Sequence, residues 1–148
     1  MDKTYFSPLE LLKIATQHAY CAEHLLQCHG EISTADHQAV DALEAVTSLM
    51  HMAFELTFKA YLLHDHKKII QHKRLLELLE LNSELGLSAK DRHLLKILSR
   101  QQGFRKGIDY NLWQDRQQLH VFCMEIIALY EQLQRLMPIE LQASYQSV

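Results

Sequence analysis

The stretch Val40–Leu63, VDALEAVTSLMHMAFELTFKAYLL, decides how this chain folds. Its Val40, Leu43, Val46, Met50, Phe54 and Tyr61 recur at helical spacing, and Leu49, Ala53, Leu56, Ala60 and Leu63 mark a second apolar side. A helix that is apolar on two sides belongs in the middle of a bundle. Begun at Ser33-Thr34-Ala35-Asp36 and carried to Leu63, it would be roughly 45 Å long at ~1.5 Å per residue.

The flanking segments read as partners for this central helix. Upstream, Ser7-Pro8-Leu9-Glu10 combines an N-cap serine, a proline suited to the first helical position and a glutamate that closes a capping box. Helix one then runs to about Cys28, with Gly30 as its stop. Its Ala15, Ala19 and Ala22 form a narrow small-residue stripe that lets a neighbour approach closely. Downstream, Lys73–Ser83 predicts a leucine-rich third helix ending near Gly86. Ser88-Ala89-Lys90-Asp91 opens a fourth with Leu94, Leu95, Ile97 and Leu98 inward and Gly103 as its stop. Trp113–Met137 predicts a fifth, with Leu119, Phe122, Ile126, Tyr130, Leu133 and Met137 in register and Pro138 ending it. The expected fold is all-α, a four- to five-helix up-and-down bundle forming one domain over residues 1–148, with 139–148 a frayed tail.

Composition narrows the function. Four Gly and two Pro among 148 residues are too few for a turn-rich β-sandwich, and a chain this long buries an adequate core unaided. No apolar run approaches the ~18–20 residues that cross a bilayer. Met1–Phe6 lacks the charged-then-apolar layout of a signal peptide, so a cytoplasmic protein without membrane partners is expected. Fifteen Lys and Arg against eighteen Asp and Glu leave a net charge of −3, which makes any polyanion site a local patch. Cys21, Cys28 and Cys123 have no metal-ligand spacing. Seven residues on one helix hold the first two too far apart for a disulfide, so reduced thiols packed as small hydrophobes are expected. The ten histidines are scattered and neither H-E-x-x-H nor paired E-x-x-H occurs, so no metal site and no cofactor are expected.

Three constellations could carry chemistry. Residues 64–74, including His66, Lys67, His72 and Arg74, form a basic run that would attract phosphates or simply solvate the connection between helices two and three. Gly103–Tyr110, with Arg100 before it and Trp113 after, sets Arg105 and Lys106 between two glycines and among aromatics. Such a bend could hold an anion in a backbone nest, grip a phosphate with the Arg105 fork and stack a base. It could equally be a helix–helix turn whose aromatics plug the bundle end while Arg105 pairs with Asp109. Glu55 and Lys59 stand in the favourable i,i+4 order on a largely apolar helix, a pair suited to fixing packing rather than to catalysis.

Ala53-Phe54-Glu55 to Lys59-Ala60, Ile70-Gln71-His72 to Leu75-Leu76, and Arg105 to Tyr110 before the last helix together resemble the HEPN superfamily, over nearly the whole chain in helix order. The resemblance implies a four- or five-helix bundle that forms a homodimer. It also implies a toxin–antitoxin or defence setting, as a metal-independent RNase, a partner of a minimal nucleotidyltransferase, or a non-catalytic module binding RNA or a nucleotide. In the family's ribonucleases an Arg is followed after four to six residues by a His. Arg105 fits the arginine, while Tyr110 stands where the histidine is expected. With a reference pKa of ~10, tyrosine is a poor base at neutral pH. A binding module is therefore the first expectation and a divergent ribonuclease using Arg105 and Tyr110 the alternative; a dimerisation or adaptor protein with no small ligand is the third.

Overall fold

The computed structural model describes residues 7–29, 37–64, 74–82, 85–103 and 116–137. They form five helices and no strand: α1 (Pro8–His29), α2 (His37–His64), α3 (Leu75–Leu81), α4 (Ala89–Gly103) and α5 (Arg116–Arg135). The protein is an all-α bundle. None of these helices is long and apolar enough to cross a membrane.

Two helix starts are set by reciprocal caps. Glu10 N–H donates to Ser7 Oγ at 3.2 Å and Ser7 N–H to Glu10 Oε1 at 2.9 Å. The Ser7 backbone N–H first, and the Ser7 hydroxyl second, hold the Glu10 carboxyl below its ordinary pKa. Ser88 and Asp91 repeat the exchange at α4, at 3.1 and 3.2 Å. The residues expected to open α2, 33–36, lie outside the described ones, as does Gly30.

α2 packs against all four other helices. Leu43, Val46, Met50, Phe54 and Tyr61 are buried as the periodicity predicts, and Ala53, Phe58 and Ala60 have no exposed surface. On the second side the leucines differ from expectation: Leu49, Leu56 and Leu63 are only partly buried, and the alanines carry the closest packing. On α1, Ala15 and Ala22 are likewise fully buried. Small side chains recurring every seven residues on both helices let the α1 and α2 backbones approach more extensively than any other pair. The connection from His29 to His37 spans at most about 29 Å at ~3.6 Å per residue, less than the ~33 Å length of α1, so α2 must double back.

Cross-helix bonds fix the remaining directions. Cys123 Sγ reaches Leu43 O at 3.7 Å, Thr57 Oγ1 and Tyr130 Oη share a hydrogen bond of 2.9 Å, and Tyr61 Oη donates to Leu133 O at 2.9 Å. The partner numbers rise together, so α5 runs parallel to α2. α4 opposes α5: Lys90 at its start meets Glu125 at 3.6 Å, while Ile97 later in α4 shares a groove with Gln117 at the beginning of α5. Leaving aside the short α3, the long helices alternate up and down.

α3 is shorter than the leucine run suggested. Arg74 is extended (φ −75°, ψ 160°) and its N–H points to Glu77 Oε1 at 3.4 Å. At the other end Asn82, 7% exposed, turns its amide back onto Leu78 O (2.8 Å) and across to Phe58 O of α2 (3.3 Å). That bridge ends the helix and ties it to α2, which leaves Leu81 exposed. Gly86, the expected stop, has φ +70° and instead serves the turn into α4. α5 likewise ends before Met137, its last turn tightening to i→i+3 bonds from Leu136 and Met137.

Asn82→Ala removes a buried donor pair and leaves Leu78 O without its side-chain partner. Urea unfolding should show a loss of about 1–3 kcal/mol; a loss within ±0.5 kcal/mol, the range of ordinary surface substitutions, would mean the bridge contributes nothing.

Candidate functional site

A recess of about 550 Å³ runs between α4 and α5. It exists because α4 points Leu94, Leu95 and Leu98 into the core, which turns Lys90, His93 and Ile97 toward one wall. α5 supplies the other wall with Gln117, Val121 and Glu125, and Leu94 and Phe122 form the floor. On the α5 side Val121, 52% exposed, stands among Gln117, Gln118 and Glu125, and on the α4 side Ile97 stands beside Lys90 and His93. Lys90 and Glu125 lie across one end at 3.6 Å in open solvent, a pair that contributes little to stability. At the other end α4 stops at Gly103 and α5 begins at Arg116, and the intervening sequence carries Arg105, Lys106, Tyr110 and Trp113.

A second, smaller recess of about 170 Å³ opens between α1, α2 and α5. Gln134 Nε2 donates to Thr16 Oγ1 at 3.3 Å on its wall, Tyr20 stands 78% exposed at its mouth, and Glu23 and Glu131 make its rim acidic. With two carboxylates and no Lys or Arg in its lining, it is unsuited to phosphate.

Of the residues singled out by sequence, Arg105, Tyr110, Lys106, Trp113, His66, Lys67 and His72 lie outside the described residues. Arg100 and Arg74 lie within them, both exposed: Arg100 in the last turn of α4, where its charge complements the helix dipole, and Arg74 as the residue preceding α3. The Glu55–Lys59 pair does not form. Glu55 turns one helical turn back to His51, Nδ1 to Oε1 at 2.9 Å, with both side chains about one-fifth exposed. The i,i−4 imidazole is as close in sequence as the i,i+4 ammonium, and it reaches the carboxylate on a shorter side chain with less conformational entropy to lose.

The thiols also depart from expectation. Cys21 and Cys28 are exposed, because α1 buries only its alanine and leucine stripe; Cys123 alone is a core residue. Cys28 Sγ lies 3.6 Å from His24 Nε2, but among the described residues nothing orients that imidazole, so the pair lacks the build of a thiol–base dyad. Burial pushes the Cys123 thiol up to about 12, which keeps it protonated and inert. Tyr61 is raised well above its usual range by burial and by neighbouring Tyr130, so its hydroxyl remains a donor. Among the described residues no three His, Cys, Asp or Glu side chains converge as a metal site requires.

Sequence reading missed Asn82, Thr57 and the groove itself. The asparagine carried a signal: a helix-ending amide after a leucine run fits a C-terminal cap. Compared with known proteins, the chain matches no family model, no curated protein and no solved structure.

Native protein treated with a chromogenic disulfide reagent at neutral pH should release colour for the two exposed thiols, Cys21 and Cys28, with Cys123 reacting only after denaturant is added. A fast third equivalent without denaturant would show that the α2–α5 interface opens freely.

Proposed function

We propose that this chain is a HEPN-like helical module that binds RNA without cutting it, acting as a homodimer in a toxin–antitoxin or defence setting. The observation that carries the reading is the α4–α5 groove itself. Two antiparallel helices leave an apolar-floored recess, Arg100 stands exposed beside its end, and the joining sequence bears Arg105, Lys106, Tyr110 and Trp113. A phosphate needs cationic forks, and an unpaired base needs an aromatic or apolar surface; the groove and the sequence that joins its two helices have the residue types for both. A nucleotide, or a nucleotidyltransferase-type protein partner, is the alternative occupant under the same reading. Tyr110 at the position of the family's histidine argues for binding over cleavage, since a neutral phenol does not take the proton of an attacking 2′-hydroxyl.

Arg105→Ala with Lys106→Ala should weaken binding of a short single-stranded RNA by about tenfold or more at low salt, with the thermal midpoint unchanged. Equal affinity for both proteins across a salt series would remove this segment from the site. Incubating metal-free protein with RNA tests the cleavage alternative: degradation abolished by both Arg105→Ala and Tyr110→Phe would replace binding with catalysis.

A further inference from the structure

Six of the chain's fifteen Lys and Arg fall between Lys90 and Lys106, where Asp91 is the single acidic residue. The structure adds what this spacing means on α4. Lys90, Arg92, His93, Lys96 and Arg100 are all exposed. Arg92, Lys96 and Arg100 stand at i, i+4 and i+8, one above the next on the same side, about 6 Å apart along the axis at ~1.5 Å per residue. The carboxylates beside them are turned to other partners: Asp91 Oδ2 accepts the Ser88 N–H at the helix start, and Glu125 meets Lys90. Among the described residues Arg92, Lys96 and Arg100 make no ion pair, although the chain as a whole is acidic. Beside this row runs the groove, reached across His93 and floored by Leu94 and Phe122.

We infer that Arg92, Lys96 and Arg100 form a track for the sugar–phosphate backbone of a single-stranded RNA, whose bases turn into the α4–α5 groove. The inference rests on the RNA reading above and extends it from the 104–115 segment to the length of α4. Three features select the occupant. The row is linear and its pitch approaches that of successive phosphates in a strand, whereas a membrane surface would call for large apolar side chains among the cations, and the exposed side of α4 has none. Two of the three cations are guanidinium groups, whose forks match phosphate oxygens. An apolar recess alongside suits unpaired bases; a duplex keeps its bases inside and an acidic peptide has none to offer.

The test is fluorescence anisotropy of the full chain with a labelled oligouridylate of about ten nucleotides, titrated over a range of salt. A single strand gives a log–log salt slope of about −0.7 per phosphate neutralised. The triple variant Arg92→Ala, Lys96→Ala, Arg100→Ala should therefore flatten the slope by about 2 and weaken binding more than tenfold at low salt. Arg92→Lys with Arg100→Lys should keep the slope, and Lys13→Ala with Arg135→Ala, elsewhere on the bundle, should leave binding unchanged. All these side chains lie outside the buried core, and circular dichroism with the thermal midpoint checks that each variant folds. An unchanged slope in the triple variant overturns the track, and so does a wild-type chain that does not bind the oligomer. Equal competition by polyglutamate, tighter binding of an RNA duplex of the same length, or binding only to phosphatidylserine-containing vesicles does the same. The Arg105→Ala, Lys106→Ala protein separates the two readings: loss there with the triple variant intact leaves the function and removes the track, and the reverse result keeps the track while removing the loop.

Discussion

A helix enclosed by its neighbours has to satisfy inside the protein every polar group it carries, because an unpaired buried donor or acceptor costs as much as several apolar contacts gain. α2 is such a helix, and it carries three buried hydroxyls. Thr47 bonds back to Glu44 O at 2.6 Å within the helix, whereas Thr57 and Tyr61 reach Tyr130 and Leu133 O on α5. Those two bonds hold α5 in one register, with Phe54 meeting the Tyr130 ring edge-on at 5.3 Å between centroids. Asn82 applies the same constraint to α3 through Phe58 O. Cys123 on Leu43 O and Gln134 on Thr16 add weaker polar ties, and the remaining buried contacts are apolar and carry no such directional preference.

The position of the groove follows from that register. With α5 fixed on α2, α4 can cover only part of α5 while burying Leu94, Leu95 and Leu98, and the uncovered remainder is the recess lined by Ile97, Val121 and Phe122. The same rotation sends every cation of α4 outward. Charge is thus distributed unevenly for a packing reason: on an acidic chain, Asp91 serves as a cap and Glu125 meets Lys90, and among the described residues no carboxylate pairs with Arg92, Lys96 or Arg100. The second recess, walled by Glu23 and Glu131, has the opposite character. The basic row beside the first recess and the two carboxylates at the second give one small bundle a side suited to polyanions and a side that repels them.

What could be read in advance divides by the range of the interaction. Ser7–Glu10 and Ser88–Asp91 are visible as text, because a capping box involves residues three apart. The buried stripes of α2 and α5 are visible because helical periodicity is local. Ala15 and Ala22 signalled a close neighbour without naming it. Glu55 was misassigned because two partners, His51 and Lys59, are equally near in sequence and only side-chain geometry chooses between them. Cys21 and Cys28 looked like core residues by type, yet they fall on the outer side of α1. Arg100 was singled out with the glycine-flanked bend that follows it, while nothing in the sequence marked Arg92 or Lys96. Their significance depends on having no ion-pair partner among the described residues, which is a property of the surroundings.

Local rules alone, then, determined that this chain is helical, where α1 and α4 begin, and which stripes face inward, since each rests on neighbours within two turns. The parallel setting of α5 on α2, the asparagine bridge that shortens α3, the groove and the uncompensated row on α4 were decided only in three dimensions. Each depends on residues far apart in the chain, such as Thr57 and Tyr130, and no spacing along one segment encodes which distant side chain will be near enough to bond.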